Sequence, residues 1–115
     1  MDELGEQLAG WGKVLRLETR GRVSGRSVEV AVGYVTEADG SLLVAAGDPD
    51  ADWARNLDAD PAAGVTIGDD ETYDVTAERL DGPAAARAVR ELILRYGTPA
   101  ERLGRGPAYR LRRNV

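Results

Sequence analysis

The sequence predicts a mainly-β α+β fold, with about six short strands closing into a small barrel beside one short and one longer helix. Three observations predict it. Apolar and polar residues alternate in short runs, the period of half-buried strands. Turns rich in Gly, Asp and Pro separate the runs. Most connections are too short for parallel crossovers, so neighbouring strands must pair antiparallel. A barrel then buries one face of each strand and removes exposed edges.

The elements follow in order. Residues 1–12 read as a lead-in or short helix. From Lys13 to Arg20, Leu15, Leu17 and Thr19 share one face and Arg16, Glu18 and Arg20 the other. After the glycine-containing turn at 21–25, Ser27 to Thr36 alternates again, with Val28, Val30, Val32 and Tyr34 on one side. These two runs read as a β-hairpin. Ser41 to Ala46 is a short apolar strand. Asp48-Pro49 opens a short helix with Trp53, Asn56 and Leu57 on one face, and Asp60-Pro61 ends it. Gly64 to Gly68 and Glu71 to Leu80 read as strands, the second with Tyr73, Val75 and Ala77 on one face. Gly82-Pro83 starts the longest helix, whose stripe is Ala85, Val89, Leu92, Ile93 and Tyr96, and Gly97 caps it. Residues 98–106 form a loop, and Ala108 to Arg112 is a closing strand.

The 115 residues suit one domain, 1–115, with no linker or repeat. Without Cys or His, disulfides, thiolate metal sites and a Ser-His-Asp triad are excluded, and no metal site is expected. A net charge of −5 argues against a nucleic-acid partner. No apolar run approaches the roughly 20 residues of a membrane span. The acidic start, Met-Asp-Glu-Leu-Gly-Glu, lacks an export signal, so a cytoplasmic protein is expected.

Chemistry points first to the loop Arg20-Gly21-Arg22-Val23-Ser24-Gly25-Arg26-Ser27, cationic in an acidic chain. Glycines let backbone N–H groups approach an anion, and guanidinium forks match phosphate and carboxylate oxygens. The same residues also suit a solvated hairpin turn. Next, Val44-Ala45-Ala46-Gly47 is small enough to admit a flat ring, and Trp53 one segment later could wall that space. Alternatively, Trp53 and Leu57 pin the helix to the barrel. The cluster Arg102, Arg105, Arg110, Arg112 and Arg113 could extend an anion-binding surface, or pair with Asp48, Asp50, Asp52, Asp58 and Asp60. No catalytic acid or base stands out. Tyr34 or Tyr109 could donate a proton, though nothing in the sequence aims either one.

Two stretches resemble one family. Leu17-Glu18-Thr19-Arg20-Gly21-Arg22-Val23-Ser24-Gly25-Arg26 is similar to the L-T-T-x-G-R-x-S-G stretch of the deazaflavin-dependent nitroreductase family. Asp52-Trp53-Ala54-Arg55-Asn56-Leu57-Asp58-Ala59-Asp60-Pro61 is similar to its W-x-x-N-L-x-A-x-P helix. The resemblance implies a split β-barrel of the FMN-binding type. It implies an oxidoreductase that passes hydride from a reduced deazaflavin coenzyme (F-420) to a small nitroaromatic, quinone or enone, with FMN as the alternative cofactor. Cofactor contacts would come from Arg20, Arg22, Ser24, Gly25 and Arg26 at the phosphate and acidic tail. Ala45, Ala46 and Gly47 would back the ring, with Trp53 and Asn56 of the helix motif beside it. A homodimer is also implied. The competing reading is a non-catalytic module of the same fold that binds or carries a flavin or an apolar ligand. The chain departs from the family pattern at Val23, Val28, Gly33, Gly47 and Asp48.

Overall fold

The computed structural model describes residues 14–68, 71–97 and 104–114. The strands are β1 (Leu15–Arg20), β2 (Ser27–Val32), β3 (Val35–Thr36), β4 (Leu42–Ala45), β5 (Ala62–Ile67), β6 (Glu71–Leu80) and β7 (Ala108–Arg113). Helix α1 spans Asp52–Ala59 and α2 spans Gly82–Tyr96. The anticipated lead-in at 1–12 and residues 98–103 of the anticipated loop lie outside the described residues.

All seven strands join one antiparallel sheet in the order β2-β1-β5-β6-β7-β4-β3. The outermost strands of that order, β2 and β3, are joined in the chain by Gly33 and Tyr34 alone. Trans-peptide geometry keeps the two edges within roughly 11 Å of one another. The sheet must therefore curl until its edges nearly meet, giving a split-barrel-like shell. Ten-residue β6 carries the bend: Glu71 to Thr76 pair with β5, and Val75 to Leu80 pair with β7.

The count of strands corrects the expected six. The run Ser27 to Thr36 is two strands, broken at Gly33-Tyr34. The cause is Tyr96 at the end of α2. Its hydroxyl accepts from the Tyr34 N–H at 3.0 Å and donates to the Tyr34 carbonyl at 3.1 Å. Those backbone groups are thereby withdrawn from strand pairing. A Cβ at Gly33 would lie 3.1 Å from the Tyr96 ring, so a larger residue would push the phenol back by a few tenths of an ångström. A second difference is the start of α1. Asp48 accepts from the Asp50 N–H at 2.8 Å and organises a turn, while Ala51 occupies the N-cap.

Two apolar cores explain the rest. Leu15, Leu17, Val44, Val65, Val75, Tyr109 and Leu111 fill the barrel, with Ala54 and Leu57 of α1 packed against them. Leu43, Ala45, Leu80 and Ala108 meet Ala88 and Leu92 of α2 outside the barrel. Strand β4 alternates between the two, so all four of its residues are buried. Its continuous apolar run was the sequence trace of a strand covered on both faces. Each fully buried leucine contributes about 1.5–3 kcal/mol. No helix among the described residues is long and apolar enough to cross a membrane.

Candidate functional site

The cationic loop is a self-bonded turn between β1 and β2. The Gly21 N–H donates to the Arg26 carbonyl and the Gly25 N–H to the Gly21 carbonyl, both at 2.8 Å. The Arg26 N–H donates to Ser24 Oγ at 3.2 Å. Gly25 sits at φ +73°, the left-handed region that favours glycine. These bonds occupy the Gly21, Gly25 and Arg26 amides, three that a backbone anion nest would use. Positive charge at the loop is therefore a matter of guanidiniums.

The loop is anchored from inside the barrel outward. Thr19 faces inward on β1, 2% exposed, where its neighbours Leu15 and Leu17 are apolar. Its Oγ1 accepts from Asn56 Nδ2 at 3.2 Å. Asn56 Oδ1 in turn accepts from the Arg22 N–H at 3.2 Å and from Arg22 Nη1 at 2.8 Å. Arg22 Nη2 then reaches Asp52 Oδ1 at 3.2 Å. A polar chain thus runs Thr19–Asn56–Arg22–Asp52 and fixes the guanidinium on the first turns of α1. Sequence reading took neither Thr19 nor Asp52 as a site residue. For Thr19 the available signal was polarity at an inward periodic position of β1, since such groups need partners; Asp52 is exposed and gave no such signal.

The other cations of the loop differ. Arg20 and Arg26 are exposed, and no described carboxylate lies within ion-pair range of either. Arg26 is the last residue before β2. Arg20 instead lines a cleft of about 290 Å³ shared with Glu18, Asp60 and Asp74. Gly21, Arg22, Ser24, Val28, Asp52 and Asn56 surround a separate cleft of about 240 Å³. Val23 at its rim is 94% exposed.

The proposed ring-backing residues separate. Ala45 turns outward beneath α2, whereas Ala46 turns into the barrel. The Ala46 N–H donates to the Pro107 carbonyl at 2.9 Å. Gly106 passes so close that a Cβ there would sit 2.3 Å from the Ala46 carbonyl oxygen. The small residues here admit a neighbouring backbone segment. Gly47 lies beyond that crossing and borders a cleft of about 530 Å³ with Asp48, Pro49, Ala51 and Arg105. Ala51 and Asp52 are adjacent, so this cleft and the loop cleft flank the N-terminal turn of α1 from two sides.

Trp53 is half-buried and packs on the barrel core, its ring centroid 5.9 Å from that of Tyr109 at 56°. Tyr109 donates its hydroxyl to the Ala54 carbonyl at 3.1 Å and to Asp58 at 2.9 Å. Burial, reinforced by the Asp58 carboxylate, pushes the Tyr109 hydroxyl well above its ordinary range. It is a structural hydroxyl that holds α1 to β7.

Of the C-terminal arginines, Arg102 lies outside the described residues, and Arg110 and Arg112 pair with acids other than the aspartates at 48–60. Arg110 Nε meets Glu37 Oε1 at 2.6 Å, and Arg87 joins the same carboxylate at 2.6 Å. Arg112 lies 3.5 Å from Glu78 and 3.9 Å from Asp39. The Arg113 guanidinium sits 4.4 Å over the Tyr73 ring. The Arg110 hydrogen bond, with Arg87 and Ser41, holds Glu37 down to about 2. A cavity of about 710 Å³ lies at this far side, bordered by Tyr34, Ile67, Tyr73, Arg112 and Arg113. It brings together Tyr34, one of the two tyrosines that could donate a proton, with Arg112 and Arg113 of the C-terminal cluster, both of whose guanidiniums are already engaged, and it contains none of the residues of the cationic loop. Among the described residues, no cluster of three or more acidic side chains could hold a metal ion.

Known proteins of the same fold complete the description. A solved F420-H2 dependent reductase is 26% identical, with TM-score 0.73, covering 86% of this chain and 93% of its own. HutZ, the heme storage protein from Vibrio cholerae, superposes with TM-score 0.74 at 20% identity, covering 96% of this chain and 87% of its own. A domain-swapped dimer matches with TM-score 0.72 at 24% identity, covering 95% and 94% respectively. No curated protein matches. The model of the F420H(2)-dependent quinone reductase family matches residues 2–103, and with both the arginine loop and the Trp53–Asn56 helix inside that span, the chain belongs to this family.

Proposed function

We propose that the protein is a deazaflavin-dependent reductase whose loop at 20–26 receives the anionic end of the coenzyme. The observation that carries this reading is that one turn holds Arg26, exposed with no described carboxylate in ion-pair range, and Arg22, which Asn56 and Asp52 hold in place. The donors of the cleft suit a phosphate: the Arg22 guanidinium and the Ser24 hydroxyl line it, and Arg26 follows on the same turn. The ring would lie around the N-terminal turn of α1, walled by Gly47, Pro49 and Ala51, with Arg105 at its border. Ala45, Ala46 and Trp53 would support that wall from within the fold.

When bound, the reduced deazaflavin supplies hydride to a small acceptor such as a quinone, nitroaromatic or enone. The chain's own part is binding, orientation and exclusion of water. Asn56 orients Arg22, and Arg22 with Arg26 places the anionic end. Tyr109 keeps its proton for Ala54 and Asp58, so the acceptor's proton comes from solvent. Pairing into a homodimer would bring a second shell against the open clefts, and the dimeric neighbour of the same fold supports that arrangement. Light scattering tests it.

The experiment is to mix purified protein with reduced deazaflavin coenzyme and a quinone and follow the coenzyme absorbance. Accelerated oxidation supports the reading. Tight binding without oxidation favours a carrier, the alternative that the heme-storage protein of like fold brings forward. Binding of FMN in preference to deazaflavin would change the cofactor.

A further inference from the structure

We propose that the mouth of the barrel is a second ligand site, separate from the loop at 20–26, which takes a small zwitterion with an apolar body, of the aromatic α-amino acid class. The site needs nothing from the deazaflavin reading. Its parts are the strand register and two unshared charges.

Residues directly opposite one another in a sheet share a face. Val65 and Val75 belong to the barrel core, so their partners Tyr73 and Arg113 face inward as well. Glu71 shares that face, two residues from Tyr73 and opposite Ile67, which also packs on the core. The inner face of β6 thus runs from buried Val75 through half-buried Tyr73 to exposed Glu71. There the apolar filling gives way to the cavity of about 710 Å³, a size within the range of small-molecule sites. Tyr34, Leu42 and Ile67 supply its apolar wall. The two bonds of the Tyr96 hydroxyl to the Tyr34 backbone hold that wall in place.

Four charged side chains line the cavity, Asp39, Glu71, Arg112 and Arg113. Asp39 and Arg112 answer each other at 3.9 Å, and Asp39 also accepts from the Ser41 N–H at 2.9 Å. Glu71 and Arg113 have no described partner of opposite charge in ion-pair range. Arg113 is engaged only through the Tyr73 ring, 4.4 Å below its guanidinium, so its N–H groups lack a described acceptor. An anion alone would meet Glu71 there, and a cation alone would meet Arg113; a molecule with both ends satisfies the two. A carboxylate and an ammonium on one carbon lie about 3 Å apart and, with a hydrogen bond of about 2.8 Å at each end, bridge groups about 8 Å apart. Tyr73, under the guanidinium, and Glu71 are two residues apart on an extended strand, roughly 7 Å. The apolar body would then lie on Tyr34, Leu42 and Ile67. Burial, and after it the Glu71 carboxylate, raise the Tyr73 hydroxyl above its ordinary value, so it stays a donor beside the bound carboxylate.

The test follows backbone amide NMR shifts during titration with L-phenylalanine, with hydrocinnamate, which lacks the ammonium, and with phenethylamine, which lacks the carboxylate. L-phenylalanine should saturate shifts at Glu71, Tyr73 and Arg113 with a dissociation constant on the order of 0.1–1 mM. Each truncated molecule should bind about tenfold more weakly or worse. Glu71→Gln should weaken L-phenylalanine by about tenfold without weakening hydrocinnamate. Arg113→Gln should weaken both carboxylates and spare phenethylamine. Both side chains are exposed, so the variants should stay folded, which thermal unfolding checks. Glu29→Gln removes the same charge from the outer face of the sheet and should change nothing. Equal affinity for the three probes, shifts that saturate elsewhere, or no saturable binding of L-phenylalanine would overturn the proposal. In the last case the two inward charges serve only to keep the open edge of β6 from pairing with another chain. None of these results bears on coenzyme binding at the loop.

Discussion

At the β3–β4 turn, Arg87 and Arg110 converge on Glu37, and the Arg110 and Glu37 side chains are only 18% and 15% exposed. At the β1–β2 turn, Arg20 and Arg26 project from the surface, and Arg22 alone has a carboxylate partner. The residue type is the same, but the β3–β4 turn is itself acidic, with Glu37 and Asp39, and draws its arginines from α2 and β7, whereas the β1–β2 turn carries the arginines. What differs is the strand across the way. Register brings Glu78 opposite Arg110, and the β3–β4 turn carries Glu37 to the same face. Arg20 faces Ser27. Arginine in a small barrel thus holds the shell together where a carboxylate is in register, and remains free to hold a ligand where none is.

The contrast can be broken by substitution. The largest effect falls on Glu37→Ala, which strands Arg87 and Arg110 in a half-buried site. Stability should drop by about 2–3 kcal/mol in denaturant titration. Asn56→Ala comes next. It unpairs the buried Thr19 hydroxyl and loosens Arg22, and should cost about 1–2 kcal/mol of stability and weaken cofactor binding together. A loss of stability with unaltered affinity would detach Asn56 from the site.

Acid sharpens the same difference. Glu37 is held at about 2, below its ordinary 4.5. A depressed carboxylate contributes stability that is fully present above pH 4.5 and disappears as pH falls toward about 2. Glu37→Gln should therefore flatten the fall in stability across that window. Arg26→Ala should leave the pH profile and the stability within about 0.5 kcal/mol of the wild type.

Periodicity made most of this molecule legible. Leu15, Leu17 and Thr19 face inward as their alternation required, and α2 runs from Gly82 to the Gly97 cap at φ +85°. The break at Gly33 was not legible, because its cause is a tyrosine sixty-three positions away in sequence that claims the Tyr34 backbone. The short helix began later than Asp48-Pro49 suggested because an aspartate before proline also organises a turn. Within the site, composition disclosed the cationic loop, and the helix motif disclosed Asn56. It could not disclose which arginines remain unshared, since that depends on pairing across the sheet. The Ala45-Ala46 pair read as ring space, yet Gly106 lies against Ala46, a close approach set by the chain returning into β7.

The most direct measurement is a fluorescence titration of the deazaflavin coenzyme into the wild type and into the Arg22→Ala/Arg26→Ala double variant, with denaturant curves for both. Loss of the two guanidiniums should weaken binding by roughly 2–4 kcal/mol while the double variant still unfolds cooperatively. Equal affinity for the two folded proteins would contradict the assignment of this loop to the cofactor.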